Sequence, residues 1–96
     1  MASKNYLITG TSRGIGLEMC NQLVKTGHRV FAMARDPEGS AGLQSLRKQA
    51  NGLLNVFTLD VDQQEQVASV ALELRGTIID VLINNAGKGG SSREFE

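Results

Sequence analysis

Thr9-Gly10-Thr11-Ser12-Arg13-Gly14-Ile15-Gly16 follows directly on the apolar run Tyr6, Leu7, Ile8. A glycine-rich turn between a buried strand and a helix lets backbone come close to a phosphate, because a side chain would fill that space. The spacing Gly10, Gly14, Gly16 differs from G-x-G-x-x-G, and no Gly-Lys-Ser/Thr follows, which excludes the phosphate loop of an NTPase. Taken alone, the stretch also admits the lesser reading of a tight strand-to-helix turn and nothing more.

Working outward, apolar clusters alternate between two periods. Tyr6 to Thr9, Val30 to Ala34, Val56 to Leu59 and Val81 to Ile83 are short runs bounded by Gly, Asp or Asn, the pattern of buried strands. Between them, Ile15, Met19 and Leu23 recur at helical spacing beside Cys20 and Val24, and Gly27 marks the stop. Leu43, Leu46 and Ala50 trace a shorter second helix closed by Asn51 and Gly52. A third, Gln63 to Arg75, follows Asp62 and Glu65 spaced as a capping box and aligns Val67, Val70, Ala71 and Leu74 before Gly76. The order β-α-β-α-β-α-β with continuous apolar strands predicts an α/β fold: a parallel sheet covered on both faces, joined by right-handed crossovers. Only Lys88 to Glu96, rich in Gly and Ser, lacks periodicity.

The balance of charge limits what such a domain can bind. Ten basic and ten acidic side chains in 96 residues cancel, so no broad field draws nucleic acid or an anionic membrane, and any phosphate site must be local. One cysteine, Cys20, and one histidine, His28, are too few soft ligands for a zinc or iron-sulfur centre. Residues 1–5 carry no apolar stretch of signal-peptide length and no run approaches a membrane span, so the expected address is the cytoplasm.

The motifs Thr9-Gly10-x-x-x-Gly14-x-Gly16, Asp60-Val61 and Asn84-Asn85-Ala86-Gly87, each at the carboxyl end of an expected strand, resemble those of the short-chain dehydrogenase/reductase family. The resemblance covers residues 1–87 and implies a Rossmann-type sheet of four strands in the order 3-2-1-4 with three helices, incomplete relative to the family's full domain. It implies that the loop holding Gly10, Ser12, Arg13, Gly14, Ile15 and Gly16 binds a dinucleotide pyrophosphate. Asp60 and Val61 would meet the adenine, and Asn84, Ala86 and Gly87 would lie beside the ribose. The crevice where the winding of a doubly wound sheet reverses falls between the first and fourth strands, in keeping with that placement. Read from the residues alone, Asp60 is a turn or helix-leading carboxylate, and Asn84 and Asn85 form a turn.

Charge selects among nicotinamide cofactors. NAD enzymes usually carry an acidic residue at the end of the second strand, where it binds the ribose hydroxyls and repels a 2′-phosphate. Here the strand ends in Ala34, Arg35 follows, and Arg13 lies in the glycine loop. Basic residues at these positions resemble the NADP-preferring members, and two guanidinium groups can clamp one phosphate, with Ser12 adding a hydroxyl. The plain alternative is two solvated arginines, with Arg35 paired to Asp36. Asp36 itself reads as a turn former before Pro37. His28 and Tyr6, at the opposite end of the sheet from the crevice, read as packing residues, and Cys20 as a small hydrophobe.

The family's catalytic serine, tyrosine and lysine have no matching positions in these 96 residues. The expectation is therefore a single NADP(H)-binding unit, the N-terminal cofactor-binding portion of a reductase or dehydrogenase, inactive alone. The parent reaction would be reversible hydride transfer between NADP(H) and a carbonyl or alcohol. A non-catalytic NADP-binding module and a subunit docking onto a complementary chain are the other readings. An apolar fourth strand at the sheet edge leads us to expect self-association or a complementary C-terminal portion.

Overall fold

The computed structural model describes residues 3–60 and 62–85. Among these, β1 (Asn5–Thr9) leads to α1 (Gly14–Lys25), β2 (Arg29–Ala34), a 3-10 turn (Pro37–Gly39), α2 (Ala41–Gln49), β3 (Leu54–Thr58), α3 (Gln64–Glu73) and β4 (Val81–Ile83). The four strands are parallel and ordered β3-β2-β1-β4, as the sequence predicts. Register places Ile8 beside both Ala32 and Ile83, and Leu7 beside both Phe31 and Leu82.

Because side chains alternate across a strand, this register sorts the core into two layers. Ile8, Val30, Ala32, Ala34 and Leu54 pack with Cys20, Leu43 and Leu46 beneath α1 and α2. Phe31, Met33 and Val70, with Leu7, Phe57 and Leu74, form the thinner layer beneath α3. Cover is uneven. Leu82, sharing a face with Leu7, is 66% exposed, and a groove of about 330 Å³ lined by Tyr6, Ile15, Met19, Leu23 and Ile83 opens on the other face between α1 and β4.

Helix α1 ends where Gly27 predicts, with Gly27 and His28 donating their N–H groups to the carbonyls of Val24 and Leu23 at 3.0 Å each. Four local expectations shift. The apolar face of α1 meets the core from Leu17 onward, since Ile15 on the first turn is 63% exposed. Strand β3 starts two residues before Val56, because Val30 and Phe31 on β2 continue the pairing to Leu54 and Asn55. The cap of α3 is Gln63, so the Asp62/Glu65 box does not open the helix. The preceding turn is held from Asp60 instead: its Oδ1 accepts the Asp62 N–H at 3.0 Å, and its own N–H donates to Gln66 Oε1 at 2.7 Å. The helix then stops at Glu73, short of Arg75.

Candidate functional site

The glycine loop leaves the carboxyl end of β1 and is tied down on both sides. Thr11 is fully buried, and its N–H and hydroxyl both donate to the carbonyl of Met33 on β2, at 3.3 and 3.1 Å. The Ser12 carbonyl accepts from the Ser40 hydroxyl at 2.6 Å, while that same hydroxyl oxygen caps α2 by accepting the Leu43 N–H at 3.1 Å. From the β4 side, Asn85 Nδ2 donates to the Gly10 carbonyl at 3.0 Å and the Asn85 N–H donates to Thr9 Oγ1 at 2.9 Å. Thr9 Oγ1 in turn donates to Asn84 Oδ1 at 3.0 Å. Each tie joins two elements that the sequence keeps far apart.

Gly16 lets α1 approach β1 this closely. A Cβ there would run into the Gly10 carbonyl and come within 2.7 Å of Asn85 Nδ2. Gly14 does a different job: its φ of +61° is left-handed, and a Cβ on it would meet nothing within 4 Å. Its backbone thus faces open space where α1 begins. Arg13 occupies the N-cap without a side-chain cap bond, and the first turn holds no acidic residue. The unpaired N–H groups of that turn and the positive end of the helix dipole suit an anion. A loop without side chains at Gly10, Gly14 and Gly16, opening on such a helix start, fits a pyrophosphate.

Arg13 and Arg35 are both exposed beside this cradle. Among the described residues neither side chain has a hydrogen-bond or ion-pair partner, so the Arg35–Asp36 pair considered from sequence does not form. Asp36 leads the 3-10 turn as a turn former should, its carbonyl accepting the Gly39 N–H at 3.1 Å. Ala34 is buried at the end of β2 and brings no charge. Ser12 is half-buried within the loop, Ile15 lies on the first turn of α1, and Asp60 and Asn84 follow β3 and β4. Val61, Ala86 and Gly87, like the tail at 88–96, lie outside the described residues.

The residues assigned to packing are at the far end or inside. His28 Nδ1 accepts the Lys4 N–H at 3.0 Å, and its ring meets Tyr6 edge-on with centroids 5.3 Å apart. Cys20 has no exposed surface, and burial pushes its thiol up to about 12. Among the described residues no group of three His, Cys, Asp or Glu side chains could hold a metal, and no helix is long and apolar enough to cross a membrane.

Sequence reasoning misses the anchors. Thr11 and Ser40 do not stand out there, and Asn85 reads only as a turn former. Ser40 carries a helix-start signal, a serine just ahead of the Leu43–Leu46 stripe. Its bond to Ser12 has no local signal, since it depends on how α2 sits against the loop.

Residues 4–96 match the family model described as short chain dehydrogenase. An NADPH-dependent pterin aldehyde reductase of Arabidopsis thaliana is 38% identical over 91 residues, which are 91% of this chain and 36% of that protein. (+)-Neomenthol dehydrogenase from the same plant is 36% identical over 96 residues, 94% of this chain and 32% of that protein. A carbonyl reductase from Pseudomonas aeruginosa PAO1, crystallised in complex with NADP, superposes with a TM-score of 0.83 at 42% identity, covering 88% of this chain and 39% of its own. The chain thus spans about a third of the length of the curated relatives it matches. Every strand and helix of the fold falls within the matched range, and the chain belongs to the short-chain dehydrogenase family.

Proposed function

We propose that this chain is the cofactor-binding N-terminal part of an NADP(H)-dependent short-chain dehydrogenase/reductase. The whole protein, in this reading, carries out reversible hydride transfer between NADP(H) and a carbonyl or alcohol. The observation that carries it is the pair of exposed arginines, Arg13 and Arg35, without partners among the described residues, flanking the pyrophosphate cradle with the uncharged Ala34 at the end of the strand between them. The NADP bound to the Pseudomonas carbonyl reductase and the NADPH dependence of the Arabidopsis pterin aldehyde reductase support it. Gly10 and the first-turn amides of Gly14, Ile15 and Gly16 receive the pyrophosphate, and Ser12, Arg13 and Arg35 receive the 2′-phosphate. Asp60 and Val61 border the adenine; Asn84, Ala86 and Gly87 border the ribose. When bound, the nicotinamide supplies the hydride; this chain's residues hold and orient the dinucleotide. The reading takes residues 1–96 as one NADP-binding unit with a cytoplasmic address, in keeping with a lone, buried, free cysteine.

Calorimetric titration of the chain with NADP and NAD tests this. Charge-assisted contacts to phosphate contribute ~1.5–3 kcal/mol each, so Arg35→Asp is expected to weaken NADP binding roughly ten- to hundredfold while NAD changes far less. Equal affinity of the unaltered chain for both cofactors would remove the arginine clamp and the NADP reading with it.

A second reading, a binding module or subunit completed by a complementary chain, is favoured by the uncovered faces around β4. The natural reading frame past Glu96 separates the two. A serine and a Tyr-x-x-x-Lys encoded there support the enzyme; a stop codon supports the module.

A further inference from the structure

We infer that Ser40 is a positioning residue for recognition of the 2′-phosphate, acting through Ser12 and without touching the ligand. The inference rests on the NADP reading above and assigns the control of that specificity to a side chain on a different element. Ser40 is 8% exposed and its hydroxyl is used twice, as donor to the Ser12 carbonyl at 2.6 Å and as acceptor from the Leu43 N–H at 3.1 Å. It therefore fuses the start of α2 to the glycine loop.

The geometry of the two arginines explains why that matters. Arg13 is the residue after Ser12; Arg35 heads the segment that runs through the 3-10 turn into Ser40. That segment is stiff: Gly39 and Ser40 donate to the carbonyls of Asp36 and Pro37 at 3.1 Å each, Pro37 is buried, and Gln44 Nε2 donates to the Pro37 carbonyl at 2.9 Å. Thr11 alone fastens the loop to β2 at one point, the Met33 carbonyl. Asn85 holds Gly10 from the β4 side, but neither tie reaches past Thr11, so the stretch that carries Ser12 and Arg13 can still pivot. A further tie at the neighbouring Ser12, from the body that carries Arg35, fixes the direction in which the Arg13 backbone leaves the loop. The separation of the two arginine backbones is then set before any ligand arrives, which narrows the space the two side chains must search to meet on one phosphate.

The test compares adenosine 2′,5′-bisphosphate with 5′-AMP as probes in the full 96-residue chain, alongside amide exchange at Arg13 and Gly14 without ligand. Ser40→Gly removes the hydroxyl but leaves an acceptable helix cap, whereas Ser40→Thr keeps both bonds. In Ser40→Gly the preference for the 2′-phosphorylated probe is expected to fall about three- to tenfold, the worth of one hydrogen bond, with faster exchange at Arg13 and Gly14. Ser40→Thr is expected to restore both. A preference and exchange rates unchanged in Ser40→Gly would overturn the positioning role while leaving the NADP reading intact. An unaltered chain that shows no preference would overturn that reading together with its specificity clause, and unchanged exchange would still separately count against the tie.

Discussion

Cys20 lies in the layer with Ile8, Val30 and Ala32, and its burial has a consequence at alkaline pH. Desolvation raises its thiol from 9.0 to about 12 in the folded chain, only partly offset by a backbone hydrogen bond. Below about pH 9 the thiol is protonated folded or unfolded and adds no pH dependence. Above it the unfolded chain loses the proton first, so stability should fall from about pH 9 towards the folded value, by at most ~1.4 kcal/mol per unit. Urea unfolding of the chain and of Cys20→Ala between about pH 9 and 11 checks this, and parallel slopes would contradict it. The helical spacing made Cys20 legible as a core residue. Thr11, equally buried, was not legible, because a loop hydroxyl looks the same in sequence whether it faces water or a carbonyl on the next strand.

Between elements, the close seat of α1 on the end of β1 depends on the missing side chain at Gly16. Alanine there has two opposed effects. Helix propensity favours it by ~1 kcal/mol, but the added carbon meets a backbone carbonyl that cannot swing aside. The steric term should win, with a net loss of ~1–3 kcal/mol and with the Asn85–Gly10 bond broken as the helix retreats. Thermal unfolding measures the loss; a Gly16→Ala chain with an unchanged or raised Tm would show that the contact has room to relax. The three helices and their covering of opposite faces were readable from apolar spacing and crossover handedness. The start of α3 was not, since Asp62 and Glu65 fit a capping box on paper while Gln66, reaching back to the Asp60 N–H, fixes the turn one residue further along.

In the whole molecule, β4 pairs with β1 along one side, and among the described residues no strand pairs with its other side. Leu82 at 66% exposure and Ile78 at 72% flank that edge, which carries no proline or charge between Val81 and Ile83. An apolar edge with free backbone donors and acceptors recruits another strand. The purified chain is therefore expected to self-associate with rising concentration and to exchange its β4 amides quickly when dilute. Sedimentation combined with hydrogen exchange decides it, a stable monomer with strongly protected β4 amides being the contrary outcome. The strand order was legible through the three motifs, and with it the incomplete cover of the face beside α3; the groove between α1 and β4 on the other face was not, because it depends on how far α1 reaches across the sheet. The ties of the glycine loop also differ in how much chain each must close. Thr11 finds Met33 across 22 residues and Ser12 finds Ser40 across 28, whereas Gly10 waits for Asn85 across 75. Longer closures cost more entropy, and a chain emerging from the ribosome has its first residues in hand long before its eighty-fifth. The cradle is thus braced in two instalments, its β2 and α2 side first and its β4 side only once Asn85 has emerged, so competence to hold a dinucleotide trails the making of Gly10 itself by 75 residues of synthesis.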